Sequence, residues 1–164
     1  MKTQKLTRLS LLAGVALVIF VVEQQIPPLT PIPGIKLGLA NAVTLYAIRR
    51  EGVGPAAMVL VVRVVLGNLI CGTVAAMLYA LAGALCAFAL MALLRRRIPQ
   101  TWVLSVFGAL GHSIGQMAAA LLLTGTPALV VYLPVMLLSS LVTGAFTGLC
   151  VAVLLARLPQ RQLK

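Results

Sequence analysis

The sequence contains no aspartate, one histidine and only two acidic residues, Glu23 and Glu51. Aspartate-rich magnesium sites, Ser–His–Asp triads and most metal sites therefore have too few ligands to form. The three cysteines show no metal-ligand spacing, and no G-x-x-x-x-G-K-[ST] phosphate loop is present. We expect a protein that is not an enzyme by itself and carries no cofactor, so any ATP hydrolysis must come from another protein.

Charged residues are also scarce: they make up 9% of the 164 residues, whereas hydrophobic residues make up 62% and the mean hydropathy is +1.12. A soluble domain of this length could not bury so much apolar surface. Apolar runs that approach the ~20 residues needed to cross a bilayer recur along the chain. The sequence therefore predicts an all-α polytopic membrane protein with a single integral domain over residues 1–164. The predicted helices cover residues 7–23, 34–48, 54–70, 74–94, 101–123 and 128–156.

The two acidic residues are outnumbered by thirteen basic ones, which gives a formal net charge of +11. All but two of the basic residues lie in clusters at the ends of predicted helices, and placing both termini in the cytoplasm brings every cluster to the cytoplasmic side. The charge is thus a topology signal, and we expect no nucleic-acid partner. We expect a multi-pass protein of the cytoplasmic (inner) membrane, with Glu51 solvated in the short turn RREGVGP.

The two basic residues outside these clusters are Lys36, at the start of the second helix, and Arg63, near the middle of the third. A charge at that depth costs several kcal/mol unless it faces a partner, water or the bundle interior. One interpretation is a structural ion pair, in which Glu23 neutralises Arg63 or Lys36. The other is a pocket in the outer half of the bundle that binds an anion, for which arginine offers a planar, bidentate donor.

The fifth helix carries a polar stripe in the segment SVFGALGHSIGQMAAA. Ser105, Gly108, His112 and Gln116 are spaced by three, four and four residues, which places them on one helical face. Small residues of this kind are common at helix–helix contacts in membranes, so packing alone explains the glycines. Packing does not require His112 and Gln116, and we assign both to the candidate site.

The sixth helix repeats this pattern with hydroxyl groups and a pair of glycines. One predicted face carries Tyr132, Met136, Ser140, Thr143 and Thr147, and Gly144 and Gly148 form a GxxxG pair beside it. Helix packing again accounts for the small residues. We assign Tyr132 to the candidate site because it lies at the outer end of the helix, shortly before a proline.

Four segments of the chain resemble the Gx transporter family, whose members are also described as heptaprenyl diphosphate synthase component I. These segments are PPLTPIPGIKLGLANAVTLYAI, VVRVVLGNL, ALGHSIGQMAAALLL and YLPVMLLSSLVTG. They occur in the family's order and cover nearly the whole chain. The block from Pro31 to Asn41 is the most specific of them, whereas Ser113 departs from the asparagine that members often carry there.

The resemblance implies a likeness to the substrate-binding S components of energy-coupling factor transporters. Those are six-helix membrane proteins whose first loop closes over the substrate, so residues 24–33 would form a lid. The ligand would be a small anion, either flavin-type or an isoprenoid diphosphate, and the partner an ATPase coupling module. The family's second description implies instead a non-catalytic subunit for a soluble prenyl diphosphate synthase in menaquinone synthesis. The predicted binding residues are Glu23, Lys36, Asn41, Arg63, His112, Gln116 and Tyr132.

Overall fold

A computed structural model of the chain describes residues 3–25, 38–71 and 74–158. Over these ranges it is all-α, without strands, and it confirms the predicted six-helix fold. Five helical segments are long and apolar enough to cross a membrane: four of the six helices, and the 3₁₀ turn together with the last one. The helices are α1 (Thr3–Gln25), α2 (Leu39–Arg50), α3 (Val53–Cys71), α4 (Val74–Leu94), α5 (Thr101–Thr124) and α6 (Leu133–Arg157), and a 3₁₀ turn (Pro127–Tyr132) precedes α6.

The short helix α2 lies inside the bundle. Helix α5 packs between α4 and α6, while α1 packs against α3, and α2 contacts α1, α3, α4 and α6. Half of the α2 residues are therefore buried, and Leu45 and Ile48 belong to the main apolar cluster together with Leu104 of α5. Because α2 contacts four other helices, its first turn lies where several helices meet.

Glycines allow α4, α5 and α6 to approach one another closely. An added Cβ atom at Gly115 of α5 would lie 2.8 Å from the carbonyl oxygen of Ala82 in α4. An added Cβ at Gly148 of α6 would lie 2.6 Å from the Cα of Trp102 in α5. These distances are shorter than real Cβ contacts, so the glycines serve helix packing, as the first explanation of the small residues predicts.

The start of α2 differs from the prediction. The sequence predicts a helix from residue 34, but Gly38 has a φ of 71° and the helix begins at Leu39. This left-handed conformation favours glycine because it has no Cβ, and it interrupts a helix. Residues 26–37, which include Lys36 and most of the predicted lid 24–33, lie outside the described residues.

The start of α6 differs as well. The prediction begins this helix at residue 128, whereas the structure has a 3₁₀ turn up to Tyr132 and an α-helix from Leu133. Pro134 explains the change because it has no N–H to continue an α-helical hydrogen-bond pattern, yet it fits the first turn of a new helix.

The basic clusters meet at one end of the bundle, which we call the basic end. Its described basic residues are Lys5, Arg8, Arg49, Arg50, Arg95, Arg96, Arg97 and Arg157. Arg49 Nη2 donates to the carbonyl oxygens of Ile98 (2.8 Å) and Pro99 (3.2 Å), just beyond the end of α4. Arg50 Nη2 donates to the carbonyl of Leu155 (3.0 Å), in the last turn of α6. Carbonyls in the last turn of a helix lack intrahelical donors and carry partial negative charge, so Arg50 caps α6, whereas Arg49 joins α2 to the connection between α4 and α5.

An ion pair also lies at the basic end. Arg8 Nη1 lies 3.8 Å from Glu51 Oε1, which joins α1 to the turn between α2 and α3. Glu51 is therefore paired, and the prediction of a merely solvated glutamate is wrong. Through these contacts Arg8, Arg49 and Arg50 connect the ends of α1, α2, α4 and α6 at the basic end.

We predict that replacing Gly148 with alanine destabilises the bundle by about 1–3 kcal/mol, because the new methyl group meets the α5 backbone. Thermal unfolding of the detergent-solubilised protein, followed by circular dichroism, measures the change. Gly14→Ala is the matched control, since nothing lies within 4 Å of an added Cβ on this α1 glycine. Equal stability of the two variants would contradict the close packing of α5 on α6.

We also predict that the basic end is cytoplasmic. Single cysteines at Arg96 and Thr126, at opposite ends of the bundle, test this in a chain whose three native cysteines are replaced by serine. A membrane-impermeant maleimide added to intact cells should label Thr126→Cys, and should label Arg96→Cys only after the membrane is opened. The reverse pattern would invert the topology.

Candidate functional site

The N-terminus of α2 lies within the bundle and has a carboxylate bound to it. Gly38 is the N-cap residue, and glycine has no side chain with which to satisfy the first N–H groups of the helix. Glu23, from the last turn of α1, accepts a hydrogen bond from Gly38 N at Oε1 (2.5 Å) and is only 8% exposed. A helix N-terminus attracts anions through its N–H groups and its dipole, so this position is suited to negative charge.

Arg63 lies beside that N-terminus, ten residues into α3, or ~15 Å from the start of the helix at 1.5 Å per residue. Its side chain is 5% exposed, and Nη2 donates to Asn41 Oδ1 at 3.0 Å. Its Nε is buried without an acceptor among the described residues. A cation in the middle of the bundle is thus held mainly by one neutral amide.

The structure does not join Glu23 and Arg63 directly. Among the described side chains, the ion pair within 4.0 Å is Arg8–Glu51, whereas Glu23 bonds Gly38 and Arg63 bonds Asn41. A direct Glu23–Arg63 contact, one form of the predicted structural ion pair, is therefore wrong, whereas the other form, Glu23 with Lys36, lies outside the described residues and stays a prediction. The two opposite charges still attract each other across the first turn of α2.

A small cavity of about 20 Å³, with hydroxyl and amide groups in part of its wall, lies against the same turn and is bounded by α2, α4, α5 and α6. A cavity of this volume with polar walls accommodates one water molecule. Ser105 Oγ and Thr147 Oγ1 lie 3.1 Å apart on its wall, and Asn41 contributes to the wall while it binds Arg63. The cavity is lined by Gly38, Asn41, Met91, Ser105, Gly108, Ala109, Thr143, Gly144 and Thr147.

The predicted stripe on α5 is divided between neighbouring helices. Ser105 and Gly108 line the cavity, while His112 packs against α4, where an added Cβ at Gly83 would lie 3.0 Å from its Nδ1. Gln116, one turn further, has a buried Oε1 without a partner among the described residues. Ser113, which the sequence gives no firm role, contacts Ser140 of α6 with 2.6 Å between the hydroxyl oxygens.

The structure therefore brings together three of the predicted residues, Glu23, Asn41 and Arg63, around the first turn of α2. Tyr132 lies on the 3₁₀ turn with 43% of its surface exposed, apart from those three. Sequence reasoning did not find the Glu23–Gly38 and Asn41–Arg63 contacts, because the partners lie on different helices, 15 and 22 residues apart. The signal that pointed to the region was the occurrence of ionisable residues inside apolar segments.

These observations define a helical membrane protein with a buried polar site at the start of an internal helix. The family model described as heptaprenyl diphosphate synthase component I matches residues 12–154, so the chain belongs to that family. No curated protein and no solved structure matches the chain. The resemblance to heptaprenyl diphosphate synthase component I is thereby confirmed, whereas the likeness to Gx transporters and to S components stays a prediction.

We predict that Gln116→Leu raises the stability of the protein by about 1 kcal/mol, since an unpartnered buried amide oxygen is costly and leucine has a similar volume. Ser113→Ala should instead lower it, because the hydrogen bond between the Ser113 and Ser140 hydroxyls is lost while Ser140 Oγ keeps only its bond to the Met136 carbonyl. Thermal unfolding in detergent compares the two variants. If Gln116→Leu destabilises the protein as much as Ser113→Ala, the amide has a structural partner and is not held for binding.

Proposed function

We propose that this chain is a membrane-embedded binding protein that takes up a small anionic molecule with phosphate groups for transfer across the membrane. The observation that carries the proposal is Arg63, a buried guanidinium whose described hydrogen bond goes to the neutral Asn41. A membrane protein that needs only stability gains little from a charge at this depth. A phosphate would give Arg63 the bidentate, charged partner that the guanidinium geometry favours.

The first turn of α2 supports the same ligand chemistry. Its backbone N–H groups and helix dipole attract negative charge at the position next to Arg63. Helices that begin within the membrane, with their N-termini toward an anionic group, are a recurring arrangement in transporters. Lys36 would add a second cation, as the sequence predicts, although it lies outside the described residues.

The cavity volume limits how a ligand can be placed. A space of about 20 Å³ accommodates a water molecule and not a flavin or a prenyl chain. A space of this size is also smaller than a phosphate group, so we propose that the anionic group alone reaches Arg63 and the α2 N-terminus, and that neighbouring groups move aside to admit it. The organic part would extend toward the end opposite the basic end, past His112 and Gln116 and toward Tyr132, under the predicted lid 24–33. Energy for release would come from a partner such as an ATPase coupling module.

A second candidate function is favoured by the family description: a non-catalytic membrane component of a prenyl diphosphate synthase. Its partner would be a soluble catalytic synthase that docks at the basic end. Arg96 and Arg97 are exposed there and suited to such docking, whereas Arg49 is engaged with a carbonyl of the α4–α5 connection and Arg50 with a carbonyl of α6. The lack of aspartate in the chain is compatible with a non-catalytic role and does not distinguish the two candidates.

We predict that Arg63→Gln weakens the binding of inorganic diphosphate to the purified full-length protein by at least about tenfold, because a buried charge-assisted contact is lost. Isothermal titration calorimetry in detergent gives the dissociation constants. Arg96→Gln removes the same charge at the exposed basic end and should leave the constant unchanged. Circular dichroism checks that both variants keep their helices.

Unaltered diphosphate affinity in a folded Arg63→Gln variant would contradict the binding proposal. Native mass spectrometry of gently extracted protein distinguishes the second candidate. A catalytic synthase that co-purifies with the chain, and is lost when Arg96 and Arg97 are both replaced by alanine, would favour the accessory role. A retained small anion or an associated ATPase module would favour transport.

A further inference from the structure

We propose that Glu23 is a built-in competitor of the ligand: its carboxylate holds the position at the N-terminus of α2 that the ligand's anionic group takes on binding. This inference rests on the proposed anion-binding function and assigns regulation to the same site. It changes the role of Glu23 from a residue that binds the ligand to a residue that the ligand displaces.

The contact between Glu23 and Gly38 is the first basis of the proposal. The carboxylate oxygen lies 2.5 Å from Gly38 N, the N-cap amide of a helix whose own N-cap residue has no side chain. Glu23 is 8% exposed, so its charge is largely removed from solvent. A buried carboxylate that accepts an N–H bond at a helix N-terminus occupies the same kind of position as a bound phosphate or carboxylate ligand.

Arg63 is the second and independent basis. It is 5% exposed, and it binds Asn41 in the same first turn of α2, yet its Nε has no acceptor among the described residues. Glu23 compensates the charge of Arg63 from a distance, without an ion pair within 4.0 Å. The site thus contains a helix N-terminus and a guanidinium with spare hydrogen-bonding capacity, and its resident anion satisfies only the former.

This arrangement predicts selectivity among anions. A ligand carboxylate would replace one carboxylate by another and gain little beyond what Glu23 already provides. A diphosphate carries more charge and more acceptor oxygens, so it can bind Gly38 N–H and the Arg63 guanidinium together. The apparent affinity is lowered by the fraction of time that Glu23 occupies the position, because the competent state is only partly populated. The site should therefore prefer diphosphate esters to carboxylates.

The first test is Glu23→Gln in the full-length protein. Glutamine keeps the size of the side chain and an oxygen that can accept from Gly38 N–H, but it removes the competing charge. Calorimetric titration with inorganic diphosphate should give an apparent dissociation constant about tenfold lower than in the unmodified chain. Glu51→Gln is the matched control, because Glu51 is the other acidic residue and lies at the basic end. Its dissociation constant should not change.

The outcomes separate the inference from the proposed function. Equal or weaker diphosphate binding by Glu23→Gln, with binding intact in the unmodified chain, would overturn the competitor role and leave anion binding standing. No diphosphate binding by either protein would overturn both. The double variant Glu23→Gln/Arg63→Gln should lose the gain, since the empty position is useful only beside the guanidinium.

A second measurement needs no substitution. Because the chain has only two glutamates, selective ¹³C labelling of glutamate carboxyl groups should give two NMR signals, assigned with the two Gln variants. Added diphosphate should shift the Glu23 signal and leave the Glu51 signal in place. Acetate at the same concentration should shift neither. A Glu23 signal that stays unchanged while calorimetry records diphosphate binding would rule out displacement.

Discussion

A guanidinium inside an apolar helix bundle must find polar partners, and the arrangement around α2 depends on that requirement. Arg63 is almost fully buried and turns to Asn41, in the first turn of the shortest helix. The helix starts at Leu39, directly after Gly38, whose left-handed conformation favours glycine. This start exposes an N-terminal N–H that Glu23 satisfies. The start of α2 thus carries two polar contacts, Asn41 with the buried Arg63 and Gly38 with Glu23.

Helix α5 supports this site because separate faces of the helix contact α4, α6 and the cavity. Its glycines, such as Gly115, bring the backbone of α4 close, while the α6 glycines bring α6 close on the adjacent face. The strip between these two contacts faces the inside of the bundle, and it carries Ser105 and Gly108 at the cavity. Hydroxyl pairs such as Ser105–Thr147 fix the register of α5 against α6. Packing by small residues and a polar interior are therefore parts of one arrangement and not competing explanations.

The sequence predicted the helices and the basic end because these depend on local signals. Apolar runs of membrane length define the helices, and clustered arginines mark one end, where the structure places Arg8, Arg49 and Arg50. It also identified Arg63 and Glu23 as unusual, because a charge in an apolar segment needs an explanation. The pairing of these residues was beyond it, since Asn41 and Arg63 meet only through tertiary packing of two helices. The late start of α2 was missed because the left-handed conformation of Gly38 leaves no periodic signal.

The separation of Glu23 from Arg63 favours binding over simple stabilisation. Two opposite charges in direct contact would satisfy each other, and a ligand would have to break a strong buried pair to enter. Here each charge is held by a neutral group, the carboxylate by a backbone N–H and the guanidinium by an amide. Exchanging either neutral partner for a charged one lowers the energy of the buried group, whereas the charges of Glu23 and Arg63 balance each other in the empty site. A site built in this way would gain most from an anion that reaches both groups, which is what the proposed binding role requires.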